Sequence, residues 1–322
     1  MALKQTAALQ DSSCDPDRWR YPSAGAAYNP NEWPRHYLEI DWATPITSYP
    51  RDWNTVVQQL GAKNSDRNGR VPWRVQELYV QLVDRFKARD EAAVVPLLFV
   101  LSHYVTDAFS ILHNTKNYDP DGLHARWETD MLGNSAQLAG IASLAKTYYG
   151  TPGKADPLNN MFDIVMTGNA LVQTLINISV ANAQMPQFYA QVKDLTARRW
   201  GDALTLYASI VWSAWAEAGA PALTGFPAGC SSAVPSVDPV LKGHMPAGGF
   251  THPMPGTGID AGQLGSADAG PDGGAPILPD GEFDAGTGMT EPGPSRGGGC
   301  AGVPAASLGA ALVALLWLRR RR

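Results

Sequence analysis

The chain has little of what disulfide frameworks and metal sites are usually built from: of 322 residues, three are cysteine and six are histidine. Cys14, Cys230 and Cys300 allow one disulfide at most. A Cys14–Cys230 pair could form in an oxidising compartment, although nothing in the spacing demands it. A basic excess is also missing. The net charge of -5 and pI near 5.7 leave no overall basic footprint of the kind that nucleic-acid binders often carry. Runs of alternating apolar and polar residues are scarce, which argues against a mainly β architecture. The opening Met1–Ser13, MALKQTAALQDSS, lacks the sustained apolar run of a signal segment.

What is present divides the chain unequally. Residues 1–222 hold nearly all the aromatics and the periodic apolar positions. Trp73–Lys87 places Val75, Leu78, Tyr79, Leu82 and Phe86 on one 3.6-period face. Pro96–Leu112 opens with a proline, which a first helical turn tolerates. Ser135–Tyr149, Leu158–Ala183 and Pro186–Gly219 follow the same rule, the last closing in Ala-Gly-Ala-Pro. The expectation is an all-α multi-helix bundle with a site between its helices.

Residues 223–300 hold more than half of the 32 glycines, with no Trp or Tyr between Ser231 and Cys300. Such a segment buries too little apolar surface to offset its ordering entropy, so it is expected to be a disordered linker, with His244 and His252 as bystanders. Residues 301–322 run apolar from Val303 to Leu318 and close on Arg319–Arg322. That length suffices for a short transmembrane helix, with the arginines on the cytoplasmic side and the rest of the chain outside. The tail resembles the glycine-cysteine, apolar, arginine sorting tags of exported myxobacterial proteins, with Cys300 as the tag cysteine and a sorting protease as a candidate partner. An exported protein opens with a signal segment, so the recorded start is expected to lie inside a longer gene.

The stretch HYVTDAFSILHNTKNYDPDGLHARWE, His103–Glu128, concentrates the chemistry. Side chains four apart share a helix face, so His103 with Asp107, and His124 with Glu128, can each converge on an ion. His113, six residues past Asp107, points away from His103 on a continuing helix and could serve a second metal. Asn117–Gly122 is dense in turn formers, which lets the chain reverse and bring His124 and Glu128 back. An isolated His-x-x-x-Asp is ordinarily a hydrogen-bonded pair. Two such pairs around a third histidine, in a chain so poor in histidine, favour a metal site, and imidazole with carboxylate ligands suits zinc.

Upstream, Asp15-Pro16-Asp17-Arg18-Trp19-Arg20 and Arg35-His36-Tyr37-Leu38-Glu39-Ile40-Asp41 would each be weak alone. With His103-x-x-x-Asp107, His113 and His124-x-x-x-Glu128 they resemble the bacterial zinc-dependent phospholipase C family, which shares its fold with the fungal single-strand-specific zinc nucleases. The segments GRVPWRVQELY, LSHYVTDAFSILH, NYD, GLHARWE and SAWAEAG are similar to exported bacterial members, over roughly residues 14–222. The resemblance implies one zinc on Asp17, His36, His103 and Asp107, and a second on His113, His124 and Glu128. Asp17 rather than Asp15 matches the family's Asp-x-x-Arg. Asp17, Asp107 and Glu128 would be the carboxylates of the catalytic metal site, with Asp107 reaching toward a third zinc. In the family that third ion is held by an N-terminal Trp and a nearby His. No Trp or His precedes Trp19, so a third zinc is expected only if the chain extends upstream.

Three functions follow as expectations. The first is phospholipase C-type hydrolysis of a phospholipid head group by zinc-activated water; Glu128 in the last ligand position looks like that branch. The second is a single-strand nuclease or nucleotidase, which needs aromatic stacking platforms. Trp19, Trp33, Trp42, Trp73 and Trp127 could supply them, although such residues ordinarily belong to the core. The third is a catalytically impaired surface protein stabilised by zinc. Thr106, Asn114 and Asn117 are candidates to orient the ligands, or simply to cap backbone groups.

Overall fold

In the computed structural model the described residues are 12–20 and 31–223. They are mostly helical, without a β-strand, and carry one isolated bridge between Leu38 and Gly69. The expected linker and apolar tail, residues 224–322, lie outside the described residues. So do Cys230 and Cys300; Cys14 is disulfide-bonded.

The helices are α1 (Asp15–Trp19), α2 (Trp53–Leu60), α3 (Ala62–Arg67), α4 (Val71–Ala88), α5 (Glu91–Phe109), α6 (Leu123–Glu128), α7 (Ser135–Thr147), α8 (Pro157–Ala181) and α9 (Met185–Glu217). The four long predicted helices other than Pro96–Leu112 match α4, α7, α8 and α9 to within about two residues, the usual uncertainty of helix ends. The fifth begins earlier than its proline suggested. The Asp90 side chain accepts from Ala93 N at 3.2 Å, so the cap sits ahead of Glu91 and Pro96 lies inside α5. A side-chain oxygen that satisfies an orphan amide of the first turn fixes a helix start.

Helix α4 packs on α5, α8 and α9, and α7 packs on α9. Two apolar clusters result. One gathers residues such as Val75, Leu82, Tyr104, Phe109, Phe162 and Ile210. The other gathers Ile111, Leu123, Trp127, Ile141, Leu175 and Phe188. The chain crosses from the first to the second at Ser110, between Phe109 and Ile111. Helices α5 and α8 are apolar and long enough to cross a membrane by composition alone, but both carry core side chains on several faces.

The crossing is braced by buried polar groups. Arg199, on α9, donates to Phe109 O at 2.9 Å and Ala108 O at 3.3 Å, and Asn114 Nδ2 donates to Ala108 O and Ser110 O at 3.0 and 2.8 Å. Together they satisfy carbonyls that the end of α5 would otherwise leave unpaired. Farther along α9, Thr205, Ser209 and Ser213 recur every fourth residue. They accept from the buried amides of Gly150, Gly153 and Ala155 at 2.8, 3.2 and 2.8 Å. An extended segment is thereby fastened to one helix face without unpaired donors.

Candidate metal centre

Each site residue is placed by a local feature of its segment. On α5, His103 and Asp107 lie one turn apart, with His103 Nε2 3.1 Å from Asp107 Oδ2. The helix stops at Phe109, and a 3-10 turn spans Ile111–Asn114. His113 is therefore not on a continuing helix, yet it points away from His103 as that reading required. The chain then reverses through Asp121 and Gly122, both at positive φ (53° and 73°). Asp119 Oδ1 accepts from His124 N at 2.9 Å and starts α6. Buried Trp127 anchors the other face of α6, donating to Thr196 Oγ1 at 3.0 Å. That leaves His124 and Glu128 facing His113.

The upstream pieces join the same place. Leu38 N donates to His113 O at 2.9 Å, and the His113 ring reaches back to His36 O at 2.9 Å. These reciprocal contacts clamp the two histidine-bearing segments together. Gly69 lets this segment pass: a Cβ there would lie 2.2 Å from Tyr37 O, and its φ is +89°. On α1, Asp17 is held by Arg20 at 2.7 Å, and the Arg20 guanidinium lies 4.8 Å above the Trp33 ring. Asp15 instead pairs with Arg18 at 3.0 Å. Of the two, Asp17 is the carboxylate grouped with His36 and His103.

Two groups of potential ligand atoms result: Asp17, His36 and His103, and His113, His124 and Glu128, each within 4.8 Å of one another. In the first, His36 Nδ1 lies 3.1 Å from His103 Nε2 and 4.0 Å from Asp17 Oδ1, and His103 Nε2 lies 3.7 Å from Asp17 Oδ1. Asp107 Oδ2 completes the set, 2.9 Å from His36 Nδ1. In the second, His113 Nε2 lies 3.3 Å from His124 Nε2 and 3.6 Å from Glu128 Oε1, and His124 Nε2 lies 2.9 Å from Glu128 Oε2. Asp107 Oδ1 is 3.9 Å from His113 Nδ1 and stands between the groups. All seven predicted ligands are thus brought together. The expected third ion calls for residues upstream of Met1, on which the described residues do not bear.

The donor set fits a small divalent cation. With ligand bonds of about 2.0–2.1 Å, a tetrahedron has edges of about 3.3 Å, and the observed separations bracket that length. The proton positions fit too. His103 Nδ1 faces Ser13 O at 2.8 Å and His113 Nδ1 faces His36 O, contacts that place an N–H on Nδ1. In each neutral ring Nε2 is then a lone pair aimed at carboxylate oxygens. Acceptors converging on acceptors need a cation or protons between them. In the metal-free cluster protons serve: burial disfavours the charged rings, but Asp107 raises His103 to about 9, and Glu128 raises His113 to about 9. Burial would raise the two carboxylates, and the facing histidines outweigh it, holding Asp107 and Glu128 below the usual carboxylate range.

The first group is the more enclosed. Side chains of His36 and His103 are 5% and 11% exposed, against 28% and 33% for His124 and Glu128, so a ligand has freer access to the second group. Ser110 Oγ donates to Glu128 Oε1 in a short contact. The Thr106 hydroxyl and the Asn114 amide donate to backbone carbonyls, and Asn117 N donates to Thr115 Oγ1, contacts of the kind that cap backbone groups. Of the five tryptophans named as platforms, Trp127 is buried and Trp73 packs against Trp53, Tyr49 and Phe162, whereas Trp19 and Trp42 are exposed. Sequence reasoning missed Ser110 and Glu32. Glu32 lies four residues before His36, the same spacing that drew attention to the other pairs.

No family model, curated protein or solved structure matches the chain. The functional reading therefore rests on the site itself and on the sequence motifs.

Proposed function

We propose that this chain is a zinc-dependent phosphodiester hydrolase of phospholipase C type, acting on a phospholipid head group. We further propose that it is exported and tethered through residues 301–322. The observation that carries the reading is the pair of neighbouring groups, each made of imidazole nitrogens and carboxylate oxygens within 4.8 Å of one another. Asp17, His36, His103 and Asp107 would hold one zinc, and His113, His124 and Glu128 the other. The chemistry that zinc would supply there is an acidified water and positive charge for phosphoryl oxygens.

The protein's own groups set up that chemistry. Arg20 fixes the Asp17 carboxylate, and Ser13 O and His36 O fix the proton positions of His103 and His113. Ser110 engages one oxygen of Glu128 while the other faces His124. Asp107 couples the two groups, so a phosphodiester that spans them meets a rigid arrangement. The disulfide at Cys14 supports an oxidising compartment. The exposed Trp42, with Lys116 5.7 Å from its ring, and Tyr118, 6.3 Å from the His124 ring, favour a single-strand nuclease as the second reading.

The test is hydrolysis by the zinc-loaded full chain of a short-chain phosphatidylcholine and of single-stranded DNA, each with and without chelator. Chelator-sensitive release of phosphocholine supports the first reading, and nucleotide release without lipid cleavage replaces it with the second. Inactivity on both, with zinc retained, leaves the stabilising role of the metal alone.

A further inference from the structure

The geometry points to Glu32 as a positioning residue: it sets the tautomer of His36 and so completes the cation group with Asp17, His103 and Asp107. This inference rests on the metal reading above.

His36 differs from its neighbours. His103 and His113 offer Nε2 to their groups, with Nδ1 held by a backbone carbonyl. His36 is reversed: Nδ1 faces Asp107 Oδ2 at 2.9 Å and His103 Nε2 at 3.1 Å. Nδ1 is a free lone pair only when the ring proton sits on Nε2. That nitrogen is buried without a hydrogen-bond partner, in a residue 4% exposed, and no backbone carbonyl does for it what Ser13 O does for His103. What it faces is Glu32 Oε1, at 3.6 Å. The separation exceeds a full hydrogen bond, and a shift of about half an ångström closes it.

Glu32 is built to stay anionic and in place. It is 2% exposed, Arg35 Nη1 donates to Oε2 at 2.8 Å, and the hydroxyl of fully buried Tyr104 donates to Oε1. The Arg74 guanidinium lies 5.2 Å from the Tyr104 ring centre. An anionic oxygen in this dry setting favours an N–H at His36 Nε2 and disfavours a lone pair there. The alternative is that Glu32 merely balances Arg35.

The experiment compares the full chain with its Glu32→Gln variant, titrating zinc against a chromophoric chelator. His103→Ala and His124→Ala assign the two affinities to their groups. The expected result is a loss of roughly 10–100-fold at the His36 group, with the His124 group within about twofold of wild type. Unchanged affinity at the His36 group overturns the inference, and so does an equal loss at both groups, which is the mark of a structural role. If wild type binds no zinc, the metal reading itself fails, whereas two bound zincs with an indifferent Glu32→Gln sink this inference alone. Should Glu32→Gln fail to fold, long-range nitrogen–proton correlation spectra of wild type stripped of zinc decide, because zinc on His36 Nδ1 would by itself leave the proton on Nε2. His36 protonated on Nε2 is the expected pattern; His36 protonated on Nδ1 overturns it.

Discussion

Replacing Gly168 by alanine sets two effects of opposite sign against each other. Gly168 lies within α8, where alanine is favoured over glycine by about 1 kcal/mol. A Cβ at this position, however, would lie 2.1 Å from Asn114 Nδ2 and 3.0 Å from an Arg199 terminal nitrogen. Asn114 is fully buried and braces the Ala108 and Ser110 carbonyls, while Arg199 braces Phe109. Overpacking costs about 1–3 kcal/mol, and stranding a buried carbonyl costs about 1–3 kcal/mol more. The clash wins. A net destabilisation of about 1–5 kcal/mol is expected for Gly168→Ala, or a melting temperature roughly 2–20 °C lower for a domain near 200 residues. Because Ser110 also contacts Glu128, zinc affinity of the His113 group should fall several-fold while the His36 group is spared. Thermal denaturation with parallel zinc titration reads both effects. A variant as stable as wild type, or more so, would refute the reasoning, since helix propensity alone would then govern the site.

Asp17→Asn should weaken zinc only at the His36 group, while Asp15→Asn leaves both affinities unchanged in the same titration; an effect of Asp15 would reverse the assignment. Zinc binding at pH 7 should release about two protons, because His103 and His113, raised to about 9, are charged in the metal-free protein. Calorimetry in buffers of different ionisation enthalpy measures this. The sign for stability follows: raised histidine pKa values stabilise the metal-free fold fully below about 6.5, and that contribution fades as pH rises through about 9. A metal-free protein whose stability did not fall across that window would contradict the pairing. Ser213→Ala removes the acceptor for the buried Ala155 amide and should cost about 1–3 kcal/mol in urea unfolding.

The long helices were legible because their apolar period is strong and their ends are punctuated, as with Pro157 and Asn134 at helix starts. The start of α5 was not, since Pro96 looked like a first-turn residue while the actual cap, Asp90, lies six residues earlier. Of the candidate ligands, His103, Asp107, His113, His124 and Glu128 were legible from i,i+4 pairs around a third histidine and a turn-forming segment, whereas Asp17 and His36 came only with the family resemblance. How those pairs meet was not: it depends on the break at Ser110, enforced from α8 and α9 by Gly168 and Arg199, more than fifty residues away in sequence. Glu32 escaped notice because Glu-Trp-Pro-Arg-His carries a proline and does not suggest helix, yet its 3-10 turn brings Glu32 and His36 together.

The most direct test of the metal centre is the zinc content of the purified full chain after dialysis at micromolar free zinc, alongside His103→Ala and His124→Ala. Each group has its own histidines, so wild type should retain about two zincs and each variant about one. Wild type that retains none, or variants that match it, would contradict the metal assignment on which the proposed activity depends.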